Sequence, residues 1–143
     1  MRLDRIDALI VLLLLVDGPS SAYRLAGYMI EMGVVSVPPS GFKSVERSVL
    51  SRLKKLESLG FVSKVDGGYV VTDRVVVDEL RLVGRYAGFT LDVGWSLIFD
   101  TLNGHYVVFE VDRLLEGVEP DVLEKIFSGT PIYIPLTNNK VEA

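Results

Sequence analysis

The sequence predicts an α+β fold, and three observations carry that expectation. Residues 44–59 divide into an apolar and a basic side at the period of an α-helix. The stretch Phe61 to Thr72 then changes to strand periodicity around Asp66-Gly67-Gly68. A second hairpin signal, Asn103-Gly104 between two apolar runs, lies beyond Gly88.

The chain has 143 residues, 49% of them hydrophobic, which is enough apolar surface for a core and argues against disorder. It has no cysteine and a single histidine, His105, which excludes disulfides, thiolate metal sites and a cysteine nucleophile and leaves little for a Ser-His-Asp arrangement. No nucleophile, metal or phosphate-loop pattern stands out, so an enzyme is not expected, and neither a cofactor nor a metal is. The net charge of −4 is unevenly placed. Residues 1–90 hold 12 lysines and arginines against 10 acids, whereas residues 91–143 hold 3 against 9. The acidity therefore lies at the C-terminal end, and a phosphate responds to the local field within about one Debye length, ~8 Å at physiological salt.

The first helix is expected over Ala8 to Val16, ALIVLLLLV, apolar on nearly every side and therefore covered by more than one neighbour, either the C-terminal part or a second subunit. The run has the length of a secretory leader, but Asp4 and Asp7 cancel Arg2 and Arg5, and it falls far short of the ~20 residues that span a bilayer. A buried helix and a cytoplasmic protein are the expectation. Gly18-Pro19 ends this helix, and Ser20 or Ser21 caps a second one that runs to about Met32. Tyr23, Ala26, Gly27 and Ile30, with Leu25 and Met29, supply its inner face, and Arg24 and Glu31 stay outside. Gly33 to Phe42, with Pro38-Pro39, reads as a loop, long for a helix-turn-helix connection.

In the third helix Val45, Val49, Leu53, Leu56 and Leu59 recur at steps of four, four, three and three, one buried stripe. The other side carries Arg47, Ser48, Ser51, Arg52, Lys54 and Lys55; with Lys43 that makes five cations against Glu46 and Glu57. Gly60 suits the left-handed residue that ends a helix. Phe61–Val65 and Tyr69–Thr72 then form a hairpin, and Thr72 is positioned to cap a further helix from Asp73 to about Tyr86, with Val75, Leu80, Leu82 and Val83 packed.

Three helices, a hairpin wing and a following helix make a winged helix-turn-helix over residues 1–88. Residues 89–143 form a small acidic α/β extension for dimerisation or for effector or partner binding. Within it Trp95–Leu102 and His105–Val111 flank Asn103-Gly104 as a hairpin, with a helix over Leu91–Leu102 as the alternative. Glu119-Pro120-Asp121 opens a short helix, Val122–Phe127; Thr130–Leu136 reads as an extended edge and Asn138–Ala143 as a loose tail. Trp95, Phe99, Tyr106 and Phe109 are expected in the core or an interface, and His105 as an ordinary hairpin residue.

The stretch DGPSSAYRL, Asp17 to Leu25, is similar to the "G-P-x-x-G-Y-x-L" opening of the second helix in PadR-like winged-helix transcription regulators. SVLSRLKKLESLGFV, Ser48 to Val62, resembles that family's "S-L-Y-P-A-L-R-R-L-E-x-x-G-L-I" recognition helix and first wing strand, and Tyr69-Val70-Val71-Thr72 its "Y-x-L-T" second wing strand. The resemblance covers about residues 4–86. Ala22 stands where the pattern has glycine, Leu50-Ser51 where it has Tyr-Pro, and residues 91–143 lack the long helical dimerisation region. It implies a regulator that binds operator DNA as a homodimer.

The expected site is the third helix in the major groove of double-stranded DNA and the wing beside it. Lys43, Ser44, Arg47, Ser48, Ser51 and Arg52 lie nearest the bases and phosphates, with Arg47 as the base reader because a guanidinium grips guanine through two hydrogen bonds. Lys54, Lys55 and the wing's Lys64 are assigned to backbone phosphate and the neighbouring minor groove. The same charges also suit a solvated helix face. The alternative function is a protein-interaction or assembly module on a winged-helix scaffold with an acidic docking surface. A small effector at the extension would make it a sensing regulator.

Overall fold

Ten elements follow one another in the computed structural model, which describes residues 2–85 and 88–128. Three helices come first: α1 (Arg5–Asp17), α2 (Ala22–Glu31) and α3 (Phe42–Ser58). A hairpin of β1 (Val62–Val65) and β2 (Gly68–Val71) follows, then a three-stranded antiparallel sheet of β3 (Val75–Arg85), β4 (Gly88–Asp100) and β5 (Tyr106–Glu110). Two short helices, α4 (Val111–Leu114) and α5 (Pro120–Phe127), close the described chain, which is thus α+β with two small antiparallel sheets.

The local signals explain where the helices begin and end. Asp4 caps α1 by accepting from Asp7 N while the Asp7 side chain accepts from Asp4 N, a reciprocal pair that satisfies two otherwise orphaned donors. Ser21 caps α2 through Arg24 N. At the end of α3, Phe61 N donates to Leu56 O and Gly60 N to Glu57 O, with Gly60 at φ 87, the bond pattern of a Schellman turn. That turn aims the chain into β1. Glu119 and Pro120 open α5 two residues before the position expected.

Every residue from Ala8 to Leu14 is buried. The cover comes from within the chain: α3, β2 and α4 all touch α1, and Val111, Leu114, Leu115, Val118 and Phe127 share its core. Each such side chain contributes about 1.5–3 kcal/mol on leaving water. The β3–β4 hairpin crosses the boundary expected at residue 88, and one core joins Leu9 and Phe61 to Phe99 and Phe127.

Over Val75–Arg85 the helix expected from Asp73 to about Tyr86 is instead strand β3; Tyr86 lies outside the described residues. Its start, Val75-Val76-Val77, alternates buried, exposed and half-buried against β4, a pattern that β-branched residues favour in a pleated sheet. Thr72 caps no helix; its hydroxyl donates to Gly60 O and accepts from Arg74 N. Residues Leu91–Leu102 are not helical either, since β4 runs through to Asp100. Asn103-Gly104 lies in a five-residue loop, because the β4–β5 register closes at Asp100↔Tyr106 rather than across those two residues. The first hairpin is the tight one: Val65 pairs with Gly68 around Asp66-Gly67. Thr130–Leu136 and Asn138–Ala143 lie outside the described residues.

Candidate nucleic-acid interface

Gly41, at φ 95, breaks the incoming loop, and Ser44 N donates to Gly41 O to start α3. Val45, Val49, Leu53 and Leu56 are buried and Leu59 half-buried, so the stripe faces inward as its spacing requires. Lys43, Arg47 and Lys54 lie on the opposite side, exposed and without an ion pair or hydrogen bond among the described residues. At 3.6 residues per turn they fall within ~40° of one another and span ~16 Å of helix. Ser48 and Ser51 are exposed beside them, and Ser44 shares a 2.6 Å hydrogen bond with Ser40. Tyr23, expected on the inner face of α2, is 66% exposed and packs on Phe42 with ring centroids 5.1 Å apart. The inner face is made by Ala22, Leu25, Ala26 and Met29, so the helix is turned by one position from the expected face.

Arg52 and Lys55 turn toward α1. Arg52 Nη1 donates to Asp4 Oδ1 at 2.7 Å and to Asp7 Oδ1 at 3.0 Å; Lys55 Nζ donates to Asp7 Oδ2 at 2.5 Å and to Arg2 O at 3.1 Å. Asp7 has no exposed surface, and the Asp4 N–H, Arg52 and Lys55 donors satisfy both of its oxygens. Burial pushes the Asp4 carboxyl up, but the Asp7 N–H and the Arg52 guanidinium outweigh it and hold it below its usual range. Burial likewise works against the Arg52 charge, yet Asp4 and Asp7 keep it more firmly protonated than an ordinary arginine. The two acids that offset Arg2 and Arg5 in the sequence thus find cations 45 to 48 residues away. Arg5 donates instead to Leu114 O and Glu116 O, joining α1 to the end of α4.

The hairpin behind α3 is held at two points. Ser20 N and O exchange hydrogen bonds with Tyr69 O and N, so a single bridge adds the α1–α2 connection to the edge of β2. Gly68 makes this approach possible, since a Cβ there would stand 2.3 Å from Ser20 O. Arg74 supplies the second hold. Its Nη1 donates to Leu59 O and its Nη2 to Asp100 O, both at 2.6 Å, and its guanidinium lies 4.8 Å from the Phe61 ring centroid. No motif in the sequence marks Arg74 for this. Lys64 is exposed on β1, opposite Tyr69 and near the Asp66-Gly67 tip.

No protein-family model, curated protein or solved structure matches the chain.

In the extension, Phe99 is fully buried and makes edge-on contacts with Phe61 at 5.1 Å and Phe109 at 5.8 Å, while Tyr106 and His105 are exposed. Among the described residues no group of three His, Asp or Glu side chains is placed to hold a metal ion, and no helix is long and apolar enough to cross a membrane. The nine expected site residues therefore divide. Lys43, Ser44, Arg47, Ser48, Ser51 and Lys54 share the outer side of α3, Lys64 stands on the hairpin, and Arg52 and Lys55 belong to a network with α1.

Proposed function

We propose that the chain is a winged helix-turn-helix transcription regulator that binds double-stranded DNA sequence-specifically, with α3 in the major groove and the β1–β2 hairpin beside it. The observation that carries this reading is the row Lys43, Arg47 and Lys54 on the side of α3 opposite its buried stripe, exposed and in no ion pair among the described residues. A row ~16 Å long suits a groove ~12 Å wide flanked by phosphates. Arg47, in the middle of the row, is the base reader; Lys43 and Lys54 at its ends meet phosphate, and Lys64 reaches the adjacent minor groove. No catalysis is involved. The protein acts in the cytoplasm, as a homodimer.

Selection of duplexes from a randomised pool, followed by a salt titration of the winner, tests this. Two phosphate contacts in each subunit, four in the homodimer, predict that log K falls against log salt with a slope of about −3.6 or steeper. Salt-independent binding, or no enrichment of any duplex, contradicts it.

The outer face of the β3–β4–β5 sheet favours a second, compatible role. Val76, Ile98 and Val108 are cross-strand neighbours there, with Val76 53% and Val108 55% exposed, and Tyr106 is 62% exposed on β5. Such an apolar row fits a protein surface, either a second copy or another partner. Val76→Lys with Val108→Lys is expected to convert a dimer to a monomer in sedimentation. Capture of one protein and no DNA would favour the assembly-module alternative.

A further inference from the structure

We propose that the groove between the start of α1 and the middle of α3 is a binding subsite for a DNA backbone phosphate, and that the Asp4 carboxylate occupies it when DNA is absent. The inference rests on the DNA-binding reading above and adds a regulating contact to it.

Asp4, Ser48, Ser51, Arg52 and Lys55 line this groove. Its two carboxylates are not equivalent. Asp7 is wholly buried and accepts from Lys55, Arg52 and Asp4 N, so it is a fixed part of the floor. The Asp4 side chain is 49% exposed and stands at the mouth; its Oδ1 accepts from Arg52 Nη1 at 2.7 Å and from Asp7 N at 3.0 Å, so a phosphate that takes its place on Arg52 leaves it the α1 cap alone. A guanidinium offers five N–H donors in a planar fork, and in this contact only Nη1 is engaged. A phosphate oxygen is the same kind of acceptor as the Asp4 oxygen it would displace: anionic, planar-fork compatible and reachable from solvent. The exposed Ser48 and Ser51 hydroxyls lie along the same wall as further donors.

Charge explains the regulation. Arg52 and Lys55 against Asp4 and Asp7 sum to zero, so the groove attracts phosphate weakly while Asp4 is in place. Moving Asp4 outward leaves one positive charge. DNA binding therefore exchanges one anion for another at Arg52, and the carboxylate that leaves lowers the net gain.

Asp4→Asn keeps a side-chain oxygen that caps α1 and removes only the charge. Glu57→Gln makes the same charge change at an exposed α3 position that does not touch Arg52. Measured on a duplex selected from a randomised pool, Asp4→Asn is expected to bind about tenfold tighter than the natural protein near 0.1 M salt, with a salt slope steeper by about 1. Glu57→Gln leaves the slope unchanged, and Asp4→Asn gains nothing in an Arg52→Gln background. An Asp4→Asn protein with the natural affinity and slope, or with a gain matched by Glu57→Gln, overturns the subsite while leaving the DNA reading intact. Absence of duplex binding by all of these proteins overturns both.

Discussion

Asp7 Oδ2 accepts a hydrogen bond from Lys55 Nζ at 2.5 Å, joining a carboxylate with no exposed surface at the start of α1 to a cation in the last turn of α3. Arg52 completes the pair at 3.0 Å. The geometry fixes the roll of α3 about its own axis, and so the direction in which Lys43, Arg47 and Lys54 point.

Removing both cations is expected to destabilise the fold more than removing the acid. Arg52→Gln with Lys55→Met strands a buried carboxylate and costs about 3–5 kcal/mol. Asp7→Asn leaves two partly exposed cations that water can solvate but turns an Nδ2 donor toward one of them, and it costs about 1–3 kcal/mol for the hydrogen bond lost. Chemical denaturation of the three proteins measures the order; an Asp7→Asn loss equal to the double variant's would contradict it.

Acid weakens the fold through Asp4 and Asp17. Arg24 above all, with Ser20 and Tyr28, holds the Asp17 carboxyl below its ordinary value near 3.8; Asp4 is lowered as well. Both folded pKa values lie below the unfolded ones, so the unfolded chain takes up protons first. The stabilisation is complete above about pH 4–5 and is lost as pH falls through the folded values. Thermal melts from pH 7 to 2.5 are expected to show the fall below pH 4, and Asp17→Asn to blunt it.

Gly68→Ala sets a Cβ 2.3 Å from Ser20 O, a backbone atom that cannot swing aside, and separates β2 from the α1–α2 connection. A loss of about 1–3 kcal/mol is expected from such overpacking. Gly67→Ala meets open space and carries only the strain of φ 90, so the smaller loss belongs to it. Equal melting temperatures for the two variants would refute the close approach as the cause.

Arg74→Lys tests the joint between α3, the hairpin and the sheet. A lysine cannot reach Leu59 O and Asp100 O together while lying over Phe61, so at least one of these half-buried carbonyls loses its donor. The expected cost is about 1–3 kcal/mol by denaturation, with faster exchange of the Asp100 amide, which donates to Arg74 O.

Features written within a few residues of one another were legible in the sequence. The stripe on α3, the Ser21 cap, the Gly60 turn and the Asp66-Gly67 hairpin each depend on local spacing alone. The features that failed are those decided by distant partners. Val75, Leu80, Leu82 and Val83 fit one side of a helix, and only the pairing with β4 makes the segment a strand. Asp4 and Asp7 read only as charges that offset Arg2 and Arg5 ahead of a helix over Ala8–Val16; they are the capping box of a helix that begins at Arg5, and nothing local shows that α3 supplies the cations for them. Arg52 and Lys55 consequently read as free DNA contacts, as did Lys43, Arg47 and Lys54, although the first two are engaged within the protein.

The most direct test of the central claim is the affinity of Arg47→Ala for a duplex selected from a randomised pool with the natural protein, measured beside single-base variants of that duplex. A loss of about 1–3 kcal/mol is expected, concentrated on one G·C position that the variant no longer distinguishes, with the fold unchanged because Arg47 is exposed and forms no hydrogen bond or ion pair among the described residues. Full affinity and full base discrimination in Arg47→Ala would contradict it.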